Sequence, residues 1–306
     1  MRDQSTIVET RRILAACVIT LGIGNCFAAA QEQEPGEGAR QLWDTGFIKQ
    51  RPAAAKTGSA VKPPNYRPVT SAVPKGDAGM EDAIVGLTFW RLRRPATGDD
   101  QQARLLVLEE DNSTAEWIPE RVAAETPLSE GQRVRLSVEV PRTGFLYVID
   151  REQYADGSMG DPYLIFPDLR IRGGDNAVTA GKVIEIPAQD GKPPYFRLRR
   201  SRPDQAAEVF TLLVTLKPLP DLKIGRKALP LSEEQLKTWE KKWGARTQRF
   251  ELADGAGKPW TRAEKEAGAE ANKLLTQDEP CPQTMYRVAA RPGEPIMMKV
   301  PLQIRK

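Results

Sequence analysis

Apolar and polar residues alternate with a period of two through Val134, Leu136, Val138 and Val140, with Arg133, Arg135, Ser137 and Glu139 between them. That alternation predicts a β-strand with one face in a core and the other in water. Phe145-Leu146-Tyr147-Val148-Ile149 follows Gly144 and the turn-forming Pro141-Arg142-Thr143, so the two segments are expected to pair as an antiparallel hairpin. Both faces of the second segment are apolar, which predicts a central strand covered on both sides. Further strands are predicted over 84–92, 105–108, 163–166, 182–186, 195–198 and 209–216. Short strands separated by Gly, Pro, Asp and Asn turns point to a β-sandwich.

After Pro218 the period changes. Ser232-Glu233-Glu234-Gln235 has the form of a capping box, and Leu236, Trp239 and Trp243 then share one helical face before Gly244. At that spacing the two tryptophans read as core, although an exposed pair would make a carbohydrate platform. Thr261-Arg262-Ala263-Glu264 opens a second predicted helix running to about Leu275. Segments 285–289 and 296–304 flank the turn 291–295 and are expected to rejoin the sandwich as a terminal hairpin. The expected fold is mainly β: an antiparallel β-sandwich over 83–306 with two C-terminal helices and a terminal hairpin, preceded by an extended linker.

Residues 31–82 form that linker. Pro35, Pro52, Pro63, Pro64, Pro68 and Pro74 lie among alanines and glycines, and few apolar side chains are present to offset the entropy of ordering. Leu42, Trp43, Phe47 and Ile48 interrupt it at spacings that suit a short helix docked on the body. Lys56-Thr57-Gly58 and Ser59-Ala60-Val61-Lys62 spell two motifs of serine-active penicillin-binding enzymes, but there the motifs come from distant parts of the chain, so their abutment reads as chance.

Residues 1–30 have the three-part layout of a secretory signal: Arg2, Arg11 and Arg12, an apolar run from Ile13 to Gly24, and Ala28-Ala29-Ala30 before the expected cleavage. Twelve residues of helix reach about 18 Å, short of a bilayer core of about 30 Å, so cleavage is preferred to an uncleaved anchor, and no transmembrane span is expected in the mature chain. Thr10-Arg11-Arg12-Ile13-Leu14 partly matches a twin-arginine signal; general secretion is the preferred route. Cys26 lies where a bacterial lipid anchor attaches, but Asn25 before it departs from the small residue the pattern requires. The expected location is periplasmic or extracellular.

The chain has 306 residues, three cysteines and no histidine. Without an imidazole the Ser-His-Asp and Cys-His arrangements, HExxH zinc sites and histidine-ligated haem are closed to it. Removal of the signal takes Cys17 and Cys26 away, and the remaining Cys281, between Pro280 and Pro282, reads as a packed thiol without an activating base. The mature chain carries 42 basic and 39 acidic residues, a balance that does not suggest nucleic acid. Arg91-Leu92-Arg93-Arg94 and Arg197-Leu198-Arg199-Arg200 read as solvated strand edges.

Gly86-Leu87-Thr88-Phe89-Trp90-Arg91-Leu92, Glu130-Gly131-Gln132-Arg133-Val134-Arg135-Leu136 and Gly144-Phe145-Leu146-Tyr147-Val148-Ile149 occur in an order that resembles the bacterial domain of unknown function numbered 4384. Leu164-Ile165-Phe166-Pro167, Asn176-Ala177-Val178, Ala180-Gly181 and Ile186-Pro187 continue the similarity, which covers residues 84–218. Members of that family are mostly exported or surface-linked and have no established catalytic residues. The resemblance implies a β-rich accessory or binding module and transfers no site.

Candidate chemistry is thin. Asp150, Glu152, Asp156, Asp161 and Asp168 lie in a stretch expected to be a loop, 150–168, with Asp156-Gly157 as its turn. Such acids suit a glycosidase pair or a calcium loop, but the spacing that sets calcium ligands around a glycine is missing. Gly157-Ser158-Met159-Gly160 lacks the first glycine of a nucleophile elbow. Arg172-Gly173-Gly174-Asp175-Asn176 suits an anion nest or an ordinary turn. Phosphate-loop and dinucleotide fingerprints are absent from the mature sequence, the nearest glycine pair being Gly22 and Gly24 in the signal. The sequence therefore points to no catalytic, cofactor or metal residue. The expected function is a non-enzymatic accessory or interaction module of the bacterial cell envelope that binds an envelope protein or cell-wall material. The alternative is a carboxylate-dependent glycan hydrolase.

Overall fold

The structure is a computed structural model that describes residues 42–52, 64–70, 79–109, 113–269, 274–277 and 279–305. The predicted signal 1–30 with Cys17 and Cys26, the first part of the predicted linker and the tract 56–62 lie outside the described residues. Among the described residues no helix is long and apolar enough to cross a membrane.

The chain is mainly β, built from two antiparallel sheets. In chain order the strands are β1 (Tyr66–Pro68), β2 (Glu81–Arg93), β3 (Leu105–Leu108), β4 (Thr114–Val122), β5 (Arg133–Glu139), β6 (Gly144–Tyr154), β7 (Tyr163–Phe166) and β8 (Ala177–Val178). They continue with β9 (Val183–Ile186), β10 (Phe196–Arg197), β11 (Gln205–Thr215), β12 (Leu229–Pro230), β13 (Thr247–Leu252), β14 (Thr284–Ala290) and β15 (Ile296–Gln303). The helices are α1 (Glu233–Trp243) and α2 (Arg262–Ala269).

The first sheet runs β1-β13-β14-β2, with β4 and β3 beside the far half of β2; β5 pairs the other edge of β2 and carries β9 and β10. The second runs β12-β7-β6-β11-β15, with β8 on β6. Their facing sides form the main core: Val85, Leu87 and Phe89 of β2 and Val134, Leu136 and Val138 of β5 meet Leu146 and Val148 of β6 and Phe210, Leu212 and Val214 of β11.

Each sheet is also covered on its outer face. Tyr147, Ile149, Leu213 and Met297 lie under Leu236 of α1, with Trp239 and Trp243 stacked 6.1 Å apart at the margin of that cluster. Ser232 caps α1 by accepting from the Gln235 amide. In α2 the box is reciprocal, with the Thr261 amide donating to Glu264 and the Glu264 amide to Thr261. β6 is thus central and covered on both sides, as its two apolar faces predicted.

The first sheet is covered by segments outside the sandwich. Helical turns over Leu42–Phe47 and Ile48–Gln50 set Leu42, Trp43 and Phe47 against Tyr66, Ile84, Phe250 and Met285. The docked segment anticipated from these residues is present, and the tract 31–82 contributes it, β1 and the first residues of β2 to the fold.

Three expectations are corrected. β5 and β6 do not pair as a hairpin: 140–143 carries the chain from one sheet to the other, and β5 pairs β2 while β6 pairs β11. Likewise β14 pairs β2 and β15 pairs β11, so the terminal strands rejoin the sandwich in opposite sheets rather than as a hairpin. The two crossings lie side by side, Arg142 donating to the Glu294 carbonyl at 2.9 Å. Finally, the polar face of β5 is not wet, because Arg135 and Glu139 are buried under the segments that cover the sheet.

Candidate functional site

Alternation puts Arg133, Arg135, Ser137 and Glu139 on the outer face of the first sheet, and each finds a partner there. Arg51 meets Glu139 as a fork, Nε 2.9 Å from Oε1 and Nη2 2.7 Å from Oε2, and its remaining donors reach the carbonyls of Thr276, Glu279 and Pro280. Arg135, fully buried, donates to Glu185 and to the Pro187 carbonyl and lies 5.6 Å from the Trp260 ring centre. Burial pulls the Arg135 guanidinium below its ordinary range and pushes the Glu185 carboxyl up, so desolvation outweighs mutual attraction in this pair. Ser137 accepts from Trp90, and Arg133 pairs Glu109 at 2.9 Å.

Next to these pairs a small cavity of about 40 Å³ has Arg121, Ser137, Glu139 and Glu264 on one side and Trp90, Val183 and Leu275 among its apolar lining. Arg121 binds Glu264 and the Cys281 carbonyl. Cys281 is the packed thiol expected: burial pushes it up, and Tyr66 is its hydrogen-bond partner.

The acids of 150–168 are not one loop. β6 runs on to Tyr154, and Asp150 and Glu152 lie on its inner face, Glu152 opposite Glu208 and Asp150 opposite Phe210. Asp156-Gly157 forms the expected turn, the Gly157 amide donating to the Tyr154 carbonyl at φ 84°, and Asp156 accepts from Ser158. Asp168 is buried and paired with Arg170, and Asp161 is exposed. Among the described residues no group of three or more His, Cys, Asp or Glu side chains is arranged to hold a metal.

Two acids do meet, one of them outside that stretch. Glu208, 7% exposed, and Asp150 share a hydrogen bond. Burial, and then the negative charge of Asp150, push Glu208 up to about 9; burial likewise pushes Asp150 up to about 6. Raised together, the two acids retain a proton between them at neutral pH, and Gln205 donates to Glu208 Oε1 at 2.9 Å. Glu208 was not singled out in the sequence because its neighbours Ala207 and Val209 give it the look of an ordinary strand residue.

The wide concavity lies elsewhere, among the loops after β7, β8 and β9, with the loop after β11 at its rim. It encloses about 860 Å³, within the range of ligand pockets, and its wall includes Arg170, Arg172, Lys182, Lys192 and Arg226 against Asp175, Glu185 and Asp190. Backbone bonds brace it: the Leu169 amide donates to Gly225, the Leu275 amide to Gly181, and the Gln189 side chain to Lys265 of α2. Gly181 has the positive φ anticipated, 76°, and packs on the Gln50 carbonyl, where a side chain would not fit. The stretch 172–176 borders the cavity as a turn, since the Gly174 and Asp175 amides donate to Ile171 and Arg172 rather than outward.

The first arginine run is not a solvated edge. Arg91 and Arg93 bind Glu120, Arg93 also grips Asp99, and Arg94 lies 4.0 Å from the Trp117 ring centre. In the second run Arg197 and Arg199 are exposed.

Comparison of the chain with protein-family profiles, with curated proteins and with solved structures gives no match.

Proposed function

We propose that the protein is an exported, non-enzymatic interaction module of the bacterial cell envelope that binds an envelope protein or cell-wall material. The observation that carries this reading is the braced cavity of about 860 Å³, whose wall offers charged groups for binding while the facing acids Asp150 and Glu208 lie elsewhere, bonded to each other. The order of motifs over 84–218 and the signal-like N-terminus support the envelope as its place of work. The test is capture from envelope extract on immobilised chain 31–306, with a control lacking only 31–41 so that the docked Leu42–Gln50 segment is kept. Retention of one envelope component by both forms is expected; retention of none by either contradicts the reading.

One observation favours the alternative, a carboxylate-dependent glycan hydrolase: raised acids of this kind accompany acid–base catalysis. Release of reducing ends from cell-wall glycan, abolished in E208Q, would establish it in place of the binding reading.

A further inference from the structure

We propose that the cavity takes an anionic glycan, held through carboxylate or phosphate groups on the sugar chain by Lys182, Lys192 and Arg226; this rests on the interaction-module reading above. The charges of the wall separate into those already used and those that are free. Arg170 is neutralised by Asp168, Arg172 by Asp175 at 3.1 Å, and Glu185 by Arg135 beneath the floor. Among the described residues Lys182 and Lys192 form no ion pair, Arg226 acts on Asp168 only behind the closer Arg170, and the acid of the wall left to oppose them is Asp190. The wall therefore offers net positive charge in a concavity, an arrangement that concentrates an anion there.

The approach to the cavity has the same sign. Between Asp221 and Glu233 the chain carries Lys223, Arg226 and Lys227 and no acid, and the Leu169 to Gly225 bond fixes this loop at the rim. At Gly173 nothing lies within 4 Å of where a Cβ would stand, which leaves backbone open on the wall for a sugar hydroxyl. Its lining residues include no aromatic ring, so a neutral sugar lacks a stacking platform and a peptide lacks the aromatic-walled slot that anchors a hot spot. Its volume suits a short oligomer rather than a bare ion.

The test is calorimetric titration of the full mature chain with three oligosaccharides of equal length: an oligogalacturonate, a phosphorylated oligoglucose and a neutral oligoglucose. At least one charged oligomer is expected to bind, more weakly as salt rises, and the neutral one not at all. K192E/R226E alters surface side chains, and its fold is checked by its melting temperature; it should weaken binding by at least about tenfold, while K217E, outside the cavity, should not. The two charged arms separate carboxylate from phosphate recognition. Failure of both charged oligomers, equal binding of the neutral one, or unchanged affinity in K192E/R226E overturns the inference. Envelope capture that survives in K192E/R226E would leave the interaction-module reading standing while removing this one.

Discussion

Arg51 and Glu139, 88 positions apart in sequence, form a bidentate ion pair that is nearly inaccessible to water, with side-chain exposures of 0% and 2%. Arg51 ends the docked N-terminal segment, Glu139 ends a central strand, and the same guanidinium binds the carbonyls of 276, 279 and 280. One side chain thus joins three parts of the chain. Removing it leaves a buried carboxylate unpaired, which costs about 3–5 kcal/mol. R51A is therefore expected to lower the unfolding free energy by roughly that amount in urea and, by loosening the docked segment, to speed tryptic cleavage after the already exposed Lys49. A loss below about 1 kcal/mol with unchanged proteolysis would show that the pair does not hold the segment.

Gly268 gives a test with an unusual sign. Replacing a helix-interior glycine with alanine ordinarily stabilises by about 1 kcal/mol. Here a Cβ would run into the Glu185 carboxylate where it pairs with Arg135. G268A should consequently lower the melting temperature, because displacing Glu185 strips the buried guanidinium of its partner. A raised melting temperature would mean that Glu185 moves aside without cost.

The acid pair makes stability depend on pH. Glu208 and Asp150 bind protons more tightly in the folded state than in the unfolded chain. Their contribution is fully present below about pH 4 and is lost as pH rises, through about 6 for Asp150 and about 9 for Glu208. Glutamine keeps a donor toward Asp150 and cannot ionise. E208Q should match the wild type at pH 5 and melt higher at pH 9.5; equal melting at both values would contradict a protonated Glu208.

Much of the fold could be read from side-chain period. β3 and β7 appear at their expected limits, and β2 and β6 are found where alternation or a continuous apolar run put them. β4 was hidden by Pro119 and its charged residues, of which Glu120 and Arg121 are buried in ion pairs. β13 was hidden in the same way by Gln248 and Arg249. Period reveals the two faces of a strand but not its neighbour, so the short links 140–143 and 291–295 looked like hairpin turns although each joins opposite sheets. Nor does it distinguish water from a buried partner of opposite charge, which is why the polar side of β5 looked wet. The cavity was the least legible feature, because Lys182, Lys192 and Arg226 come from three separate loops and share no local pattern.

Binding through the cavity is tested most directly by backbone hydrogen exchange on chain 31–306, alone and with the envelope component it captures. Slowed exchange confined to 169–192 and the loop around Arg226 is the predicted result. Protection elsewhere, for example along the exposed edge strand Leu105–Leu108, with 169–192 unchanged, would contradict it.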